Sequence, residues 1–79
     1  MPTVSLNAGV YRARDLLMKA FPGQYTGTAA GALFKQGAVH MNGDRVTDTR
    51  LEVQLGKGDG AAVEIVFKVG RKFARIILA

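Results

Sequence analysis

Lys68, Arg71, Lys72 and Arg75 fall within eight residues, and no acid lies among them. Grouped cations of this kind neutralise phosphate oxygens and release the counterions condensed on a nucleic acid. The stretch around them reads as a β-hairpin. A hairpin needs no basic tip for its own stability, so the cluster is expected to be a phosphate-contacting surface. The other reactive side chains do not assemble. Catalysis needs a nucleophile beside a base, a carboxylate pair or a metal cluster. Asp44, Asp48, Glu52, Asp59 and Glu64 are scattered over predicted turns and strands without paired spacing, and the only serine, Ser5, lies near the start. His40 stands alone on a predicted strand. The ordinary fate there is a half-exposed structural residue, with stacking on RNA or hydrogen bonding to it as the alternative. Tyr11 and Tyr25 could stack on bases, but both fall near helix ends, where packing competes. With no cysteine and one histidine, neither a disulfide nor a Cys/His metal site is available. Gly56-Lys57-Gly58-Asp59-Gly60 invites comparison with a phosphate-cradling loop. It lacks the Gly-Lys-Ser/Thr ending and leads into a strand, so it reads as a connector. No catalysis by this chain alone, no cofactor and no metal are expected.

The overall charge points the same way as the hairpin. Eleven Lys and Arg against six Asp and Glu leave +5 and a pI near 10.1 on a chain of 79 residues. That excess favours a polyanion partner, most often nucleic acid, and speaks to partners and not to fold. No run approaches the ~20 apolar residues that span a bilayer, so no membrane partner is expected. Met1 to Leu6 has neither the basic nor the apolar segment of a signal peptide. Without cysteines in so small a domain, the expected compartment is the cytoplasm.

Local patterning predicts the elements that must hold these cations. Residues 1–6 read as an extended or frayed edge. Asn7 can cap a first helix, in which Val10, Ala13, Leu17, Ala20 and Phe21 form one apolar stripe before Pro22-Gly23 stops it. Arg12, Asp15 and Lys19 share another face, and Asp15 precedes Lys19 by four residues, the favourable order for an ion pair. Thr26 or Thr28 can cap a second helix running to about Gln36, with Ala30, Leu33 and Phe34 inward. Gly31 inside that helix costs up to about 1 kcal/mol relative to alanine. The small residues Ala29 to Ala32 let another element approach closely. Gly37 then sits where a helix ends in a left-handed residue. Asn42-Gly43 is the strongest short hairpin signal. Thr47 to Arg50 is turn-like, and Leu51, Val53 and Leu55 alternate with Glu52 and Gln54 as a half-buried strand does. Val63, Ile65, Phe67 and Val69 alternate likewise, Gly70-Arg71 suits a type II′ turn, and Lys72 to Leu78 returns as the partner strand. The predicted fold is a single α+β domain over residues 1–79: two short helices packed on a small, mostly antiparallel sheet that ends in a β-hairpin.

The segment from Leu33 to Val46 resembles the S-four RNA-binding domain, the family named after ribosomal small-subunit protein four. Its pattern is a second helix reading roughly S-R-S-E-A-R-R-L-I-x-x-G, then a strand and V-x-x-N-G-x-x-V. Gly37, Val39, Asn42, Gly43 and Val46 fall on the last part, and Asp15-Leu16-Leu17 resembles the first-helix D-L-L. Phe67-Lys68-Val69-Gly70-Arg71-Lys72-Phe73-Ala74-Arg75-Ile76 resembles the closing hairpin of bacterial tyrosyl-tRNA synthetases, whose C-terminal domain belongs to this family. The resemblance runs from about Val10 onward. It implies a helix-helix-hairpin RNA-binding fold and a tRNA partner, tRNA-Tyr, gripped at its long variable arm and anticodon side. It also implies a parent enzyme, a tyrosine–tRNA ligase, whose catalytic domain this chain lacks. A free-standing binder of ribosomal or other structured RNA with the same fold, and a basic protein-interaction module, are the alternatives.

The family's basic positions at the start of the second helix fall on Gly27, Gly31 and Ala32, while Thr26, Thr28 and Ala30 keep the small or hydroxyl character expected there. The resemblance therefore implies RNA contacts at Thr26 and Thr28. It further implies either weaker binding or contact moved to Lys35, Arg45 and the hairpin cations Lys68, Arg71, Lys72 and Arg75.

Overall fold

Strict alternation in the C-terminal third builds the sheet on which the rest of the chain packs. The computed structural model describes residues 1–79. Its elements are β1 (Thr3–Leu6), β2 (Gly9–Arg12), α1 (Ala13–Ala20), α2 (Gly27–Lys35), β3 (Val39–Met41), β4 (Asp44–Arg45), β5 (Glu52–Leu55), β6 (Glu64–Val69) and β7 (Lys72–Leu78). A five-stranded sheet runs in the order β1-β7-β6-β3-β4, antiparallel except that β1 lies parallel to β7; β2 and β5 form a separate antiparallel pair. Val39, Ile65, Phe67, Val69, Ala74 and Ile76 point to one face and are buried there, against Ala13, Leu16, Leu17 and Ala20 of α1 and Ala30 and Phe34 of α2. The chain is thus a small α+β protein with two helices on one side of a mixed sheet. No helix is long and apolar enough to cross a membrane.

Of the two readings of residues 1–6, extended or frayed, the structure takes the extended one: β1 is an edge strand that pairs in register from Thr3 opposite Arg75 to Leu6 opposite Leu78, and Val4 and Leu6 pack on the core. Two other N-terminal expectations are overturned. The first helix does not start after Asn7. Val10 is 61% exposed on β2, and α1 begins only at Ala13, with Arg12 as an N-cap that makes no side-chain cap bond. The physical reason is pairing: β5 supplies partners from Gly9 to Arg12, and the Ala13 N–H donates to the Leu51 carbonyl at 2.8 Å. Nor do Asp15 and Lys19 pair; the one ion pair in the chain joins Arg75 to Glu64 at 3.1 Å. Val63, read as part of the sixth strand, lies just outside it and is 57% exposed.

The central segment forms as its punctuation requires. Thr26 caps α2, its Oγ1 accepting the Ala29 N–H at 3.1 Å. At the other end Gly37 takes φ 71°, and the N–H groups of Gly37 and Ala38 donate back to Phe34 and Leu33, both at 3.0 Å. That pair of bonds is the Schellman closure. The loop between β6 and β7 is Gly70-Arg71, with φ 61° at Gly70 and Val69 opposite Lys72.

Asn42 does more than take a turn conformation. Its φ of 52°, followed by 88° at Gly43, turns its own carbonyl out of the ladder. Its N–H donates to the Val66 carbonyl and its Oδ1 accepts the Val66 N–H, both at 2.8 Å, so a side-chain amide completes the β3–β6 pairing. Asn42→Gly keeps the turn but orphans the Val66 N–H. We expect it to cost about 1 kcal/mol, a fall of roughly 4–8 °C in Tm for a domain of this size. Asn42→Asp, which keeps the acceptor, should lose less. A glycine variant melting with wild type would remove this role.

Candidate nucleic-acid interface

A groove lies between α1, α2 and the loop after β4. Gly31 is buried in α2, and the Arg14 Cδ passes 3.9 Å from where a Cβ on Gly31 would stand. That is an ordinary van der Waals distance, so the Arg14 stem packs over Gly31 without requiring a glycine there. The groove of about 240 Å³ is lined by Arg14, Gly27, Thr28, Gly31, Ala32, Lys35 and Thr49. It holds two cations and two hydroxyls and no carboxylate. The Arg14 Nε is buried and has no hydrogen-bond partner. A buried donor left unpaired costs about 1–3 kcal/mol, more when charged. Lys35 belongs to the last turn of α2, where the helix dipole favours a cation.

A second basic surface covers the outer face of the sheet, opposite the helices. Cross-strand register sets Arg45 of β4, His40 of β3, Lys68 of β6 and Phe73 of β7 in one row. Arg45 also touches the helical side of the molecule, since its Cδ would lie 3.3 Å from a Cβ at Gly37. Lys68 holds its ammonium 5.7 Å from the Phe73 ring centroid, and that ring is 45% exposed. One row further along lie Val66, Arg75 and Thr3.

The closing hairpin does not present its cations as one group. Arg75 bonds Glu64 Oε2 at 3.1 Å and Thr3 Oγ1 at 3.2–3.3 Å, tying three strands together. Lys72, in register with Val69, donates to the Gln24 side chain at 3.2 Å, reaching the loop between the helices. Arg71 stands exposed at the tip. Of the threonines, Thr28 faces the groove, whereas the Thr26 oxygen already serves as the cap. Both tyrosines are engaged in packing: the Tyr11 hydroxyl donates to the Asn7 carbonyl at 2.7 Å, and Tyr25 meets Phe21 edge-on at 5.7 Å.

No family model and no curated protein matches this chain.

Three residues of these surfaces escaped the reading of the sequence. Arg14 and Thr49 join Lys35 only through tertiary packing. Phe73 was legible in principle: with Ala74 and Ile76 inward, a period of two turns Phe73 out beside Lys68.

Proposed function

We propose that this chain binds structured RNA through its phosphate backbone, as the tRNA-Tyr-gripping C-terminal domain of a tyrosyl-tRNA synthetase. The observation that carries the reading is the acid-free groove of Arg14, Thr28, Lys35 and Thr49, with its unpartnered arginine nitrogen. The net charge of +5 supports it. So does the resemblance of the helix–Gly37–Asn42-Gly43 segment and of the closing hairpin to the S-four type of RNA-binding fold.

In this reading the groove seats a phosphate and the outer face of the sheet follows the strand beyond it. Arg45 stands between the two, against the end of α2. Thr28 and Thr49 donate hydroxyl protons, and Arg14 offers a planar fork suited to two phosphate oxygens. Arg71 and Lys72 extend the contact at the hairpin tip. Sequence-independent phosphate contact dominates, since an A-form helix hides most base edges from side chains. Aminoacylation belongs to a catalytic domain outside this chain.

Titration at two salt concentrations tests the reading, with a tRNA bearing a long variable arm against one with a short arm. The expected result is saturable binding to both, tighter for the long arm, with affinity falling as salt rises. Equal binding of heparin, duplex DNA and both tRNAs would leave only a basic surface. No saturable tRNA binding at low salt would favour a protein-interaction module.

A further inference from the structure

We propose that the row Arg45–His40–Lys68–Phe73 is a subsite for one unpaired nucleotide, its base stacked on Phe73 and its flanking phosphates held by Lys68 and Arg45. The proposal rests on the RNA-binding reading and names the part of the RNA that this face takes.

Phe73 is 45% exposed near the hairpin end of β7, where β1 does not reach it. Its cross-strand partner is a lysine, and the two residues beyond that are a histidine and an arginine. Strands are about 4.8 Å apart, so the row spans some 14 Å from Phe73 to Arg45, the reach of two or three backbone phosphates. The only carboxylate carried outward by β6, Glu64, is tied to Arg75, and the nearest unpaired acid, Asp44, adjoins Arg45 at the far end of the row from Phe73. Phenylalanine has no polar atom, and every base has a π-face, so stacking here is tolerant of sequence.

The free protein already holds a cation at the site a base would use. Lys68 sits 5.7 Å from the ring centroid, near the outer limit of a cation–π contact and weak at an exposed position. A stacking base displaces the ammonium from the ring and offers it a phosphate instead. A paired base cannot do this, because its face is covered by its neighbours in the helix.

The test compares wild type with Phe73→Leu, which keeps an apolar strand residue without the π-face. The probes are a short single-stranded RNA carrying one 2-aminopurine and a fully paired RNA duplex. Thermal melts establish that the variant stays folded. The expected result is quenching of the 2-aminopurine by wild type, and a loss of about 5- to 150-fold in affinity for the single strand with Phe73→Leu. Duplex affinity and the salt slope should not change, since no phosphate contact is removed. Lys68→Ala should instead flatten the single-strand salt slope by about 0.7. Equal affinity of Phe73→Leu and wild type for the single strand overturns the subsite. So does an equal loss on the duplex, or displacement of the RNA by polyglutamate at matched charge. If wild type binds duplex but Phe73 is inert, the RNA-binding reading stands without the subsite; if wild type binds neither RNA, both fall.

Discussion

Phe34→Ala should lower the stability of this domain by about 3–5 kcal/mol, the range for a fully buried phenylalanine. A chain of 79 residues has roughly 4–12 kcal/mol to lose, so at the lower end of that range the variant is largely unfolded. The size of the effect follows from how little else anchors α2. Its other buried positions are Ala30 and Gly31, and Leu33 is only half-buried. Phe34 is the one large side chain that α2 sends fully into the core. Its carbonyl also receives the Gly37 N–H at 3.0 Å, so the end of α2 and the start of β3 shift with it. Urea denaturation followed by circular dichroism measures the loss. Phe34→Leu, closer in volume, should cost about 1–1.5 kcal/mol. A loss below about 1 kcal/mol for the alanine variant would mean that α2 is held by something other than this ring.

Arg14→Met together with Lys35→Ala should reduce tRNA affinity by roughly a hundredfold at ~0.1 M salt, about tenfold for each charge-assisted contact removed. Methionine keeps an unbranched apolar stem over Gly31, so the packing is retained while the guanidinium goes. The slope of log affinity against log salt should flatten by about 1.4–1.8 for the two lost phosphate contacts. Because the residues line one groove, the singles need not sum to the double. Arg14→Lys restores the charge but not the planar fork, and should recover only part of the affinity. Filter binding across a salt series reads both quantities. Unchanged affinity and slope in the double variant would remove the groove from the RNA interface and leave the sheet face as the sole candidate.

What the sequence revealed and what it withheld divide by range. Features written in adjacent residues were legible: the Thr26 cap, the Gly37 stop, the Asn42-Gly43 turn and the two-residue loop at Gly70-Arg71. Features that depend on distant partners were not. Val10 fits a helical stripe locally, and only β5, some forty residues later, makes it part of a strand. β1 read locally as an extended or frayed edge, and only its pairing with the last strand makes it part of the sheet. The interface shows the same division. Lys35, Arg45 and the hairpin cations stood out by type, whereas their separation onto a groove, a sheet face and a tip is a product of packing. Gly31 was legible as a cost, and no close contact in the structure requires a glycine there, since a Cβ would meet only the Arg14 Cδ at 3.9 Å.

The parallel pairing of β1 with β7 has a mechanical consequence. Tension applied through Met1 and Ala79 pulls these neighbouring strands in opposite directions along their shared axis. The ladder bonds, together with those from Arg75 to Pro2 and from Ala79 to Leu6, both at 2.8 Å, are then loaded at the same time and not opened one after another. The same strands paired antiparallel and pulled from adjacent ends would unzip at far lower force. In an optical trap this domain should therefore yield abruptly, in one step at the β1–β7 seam, and not by gradual peeling.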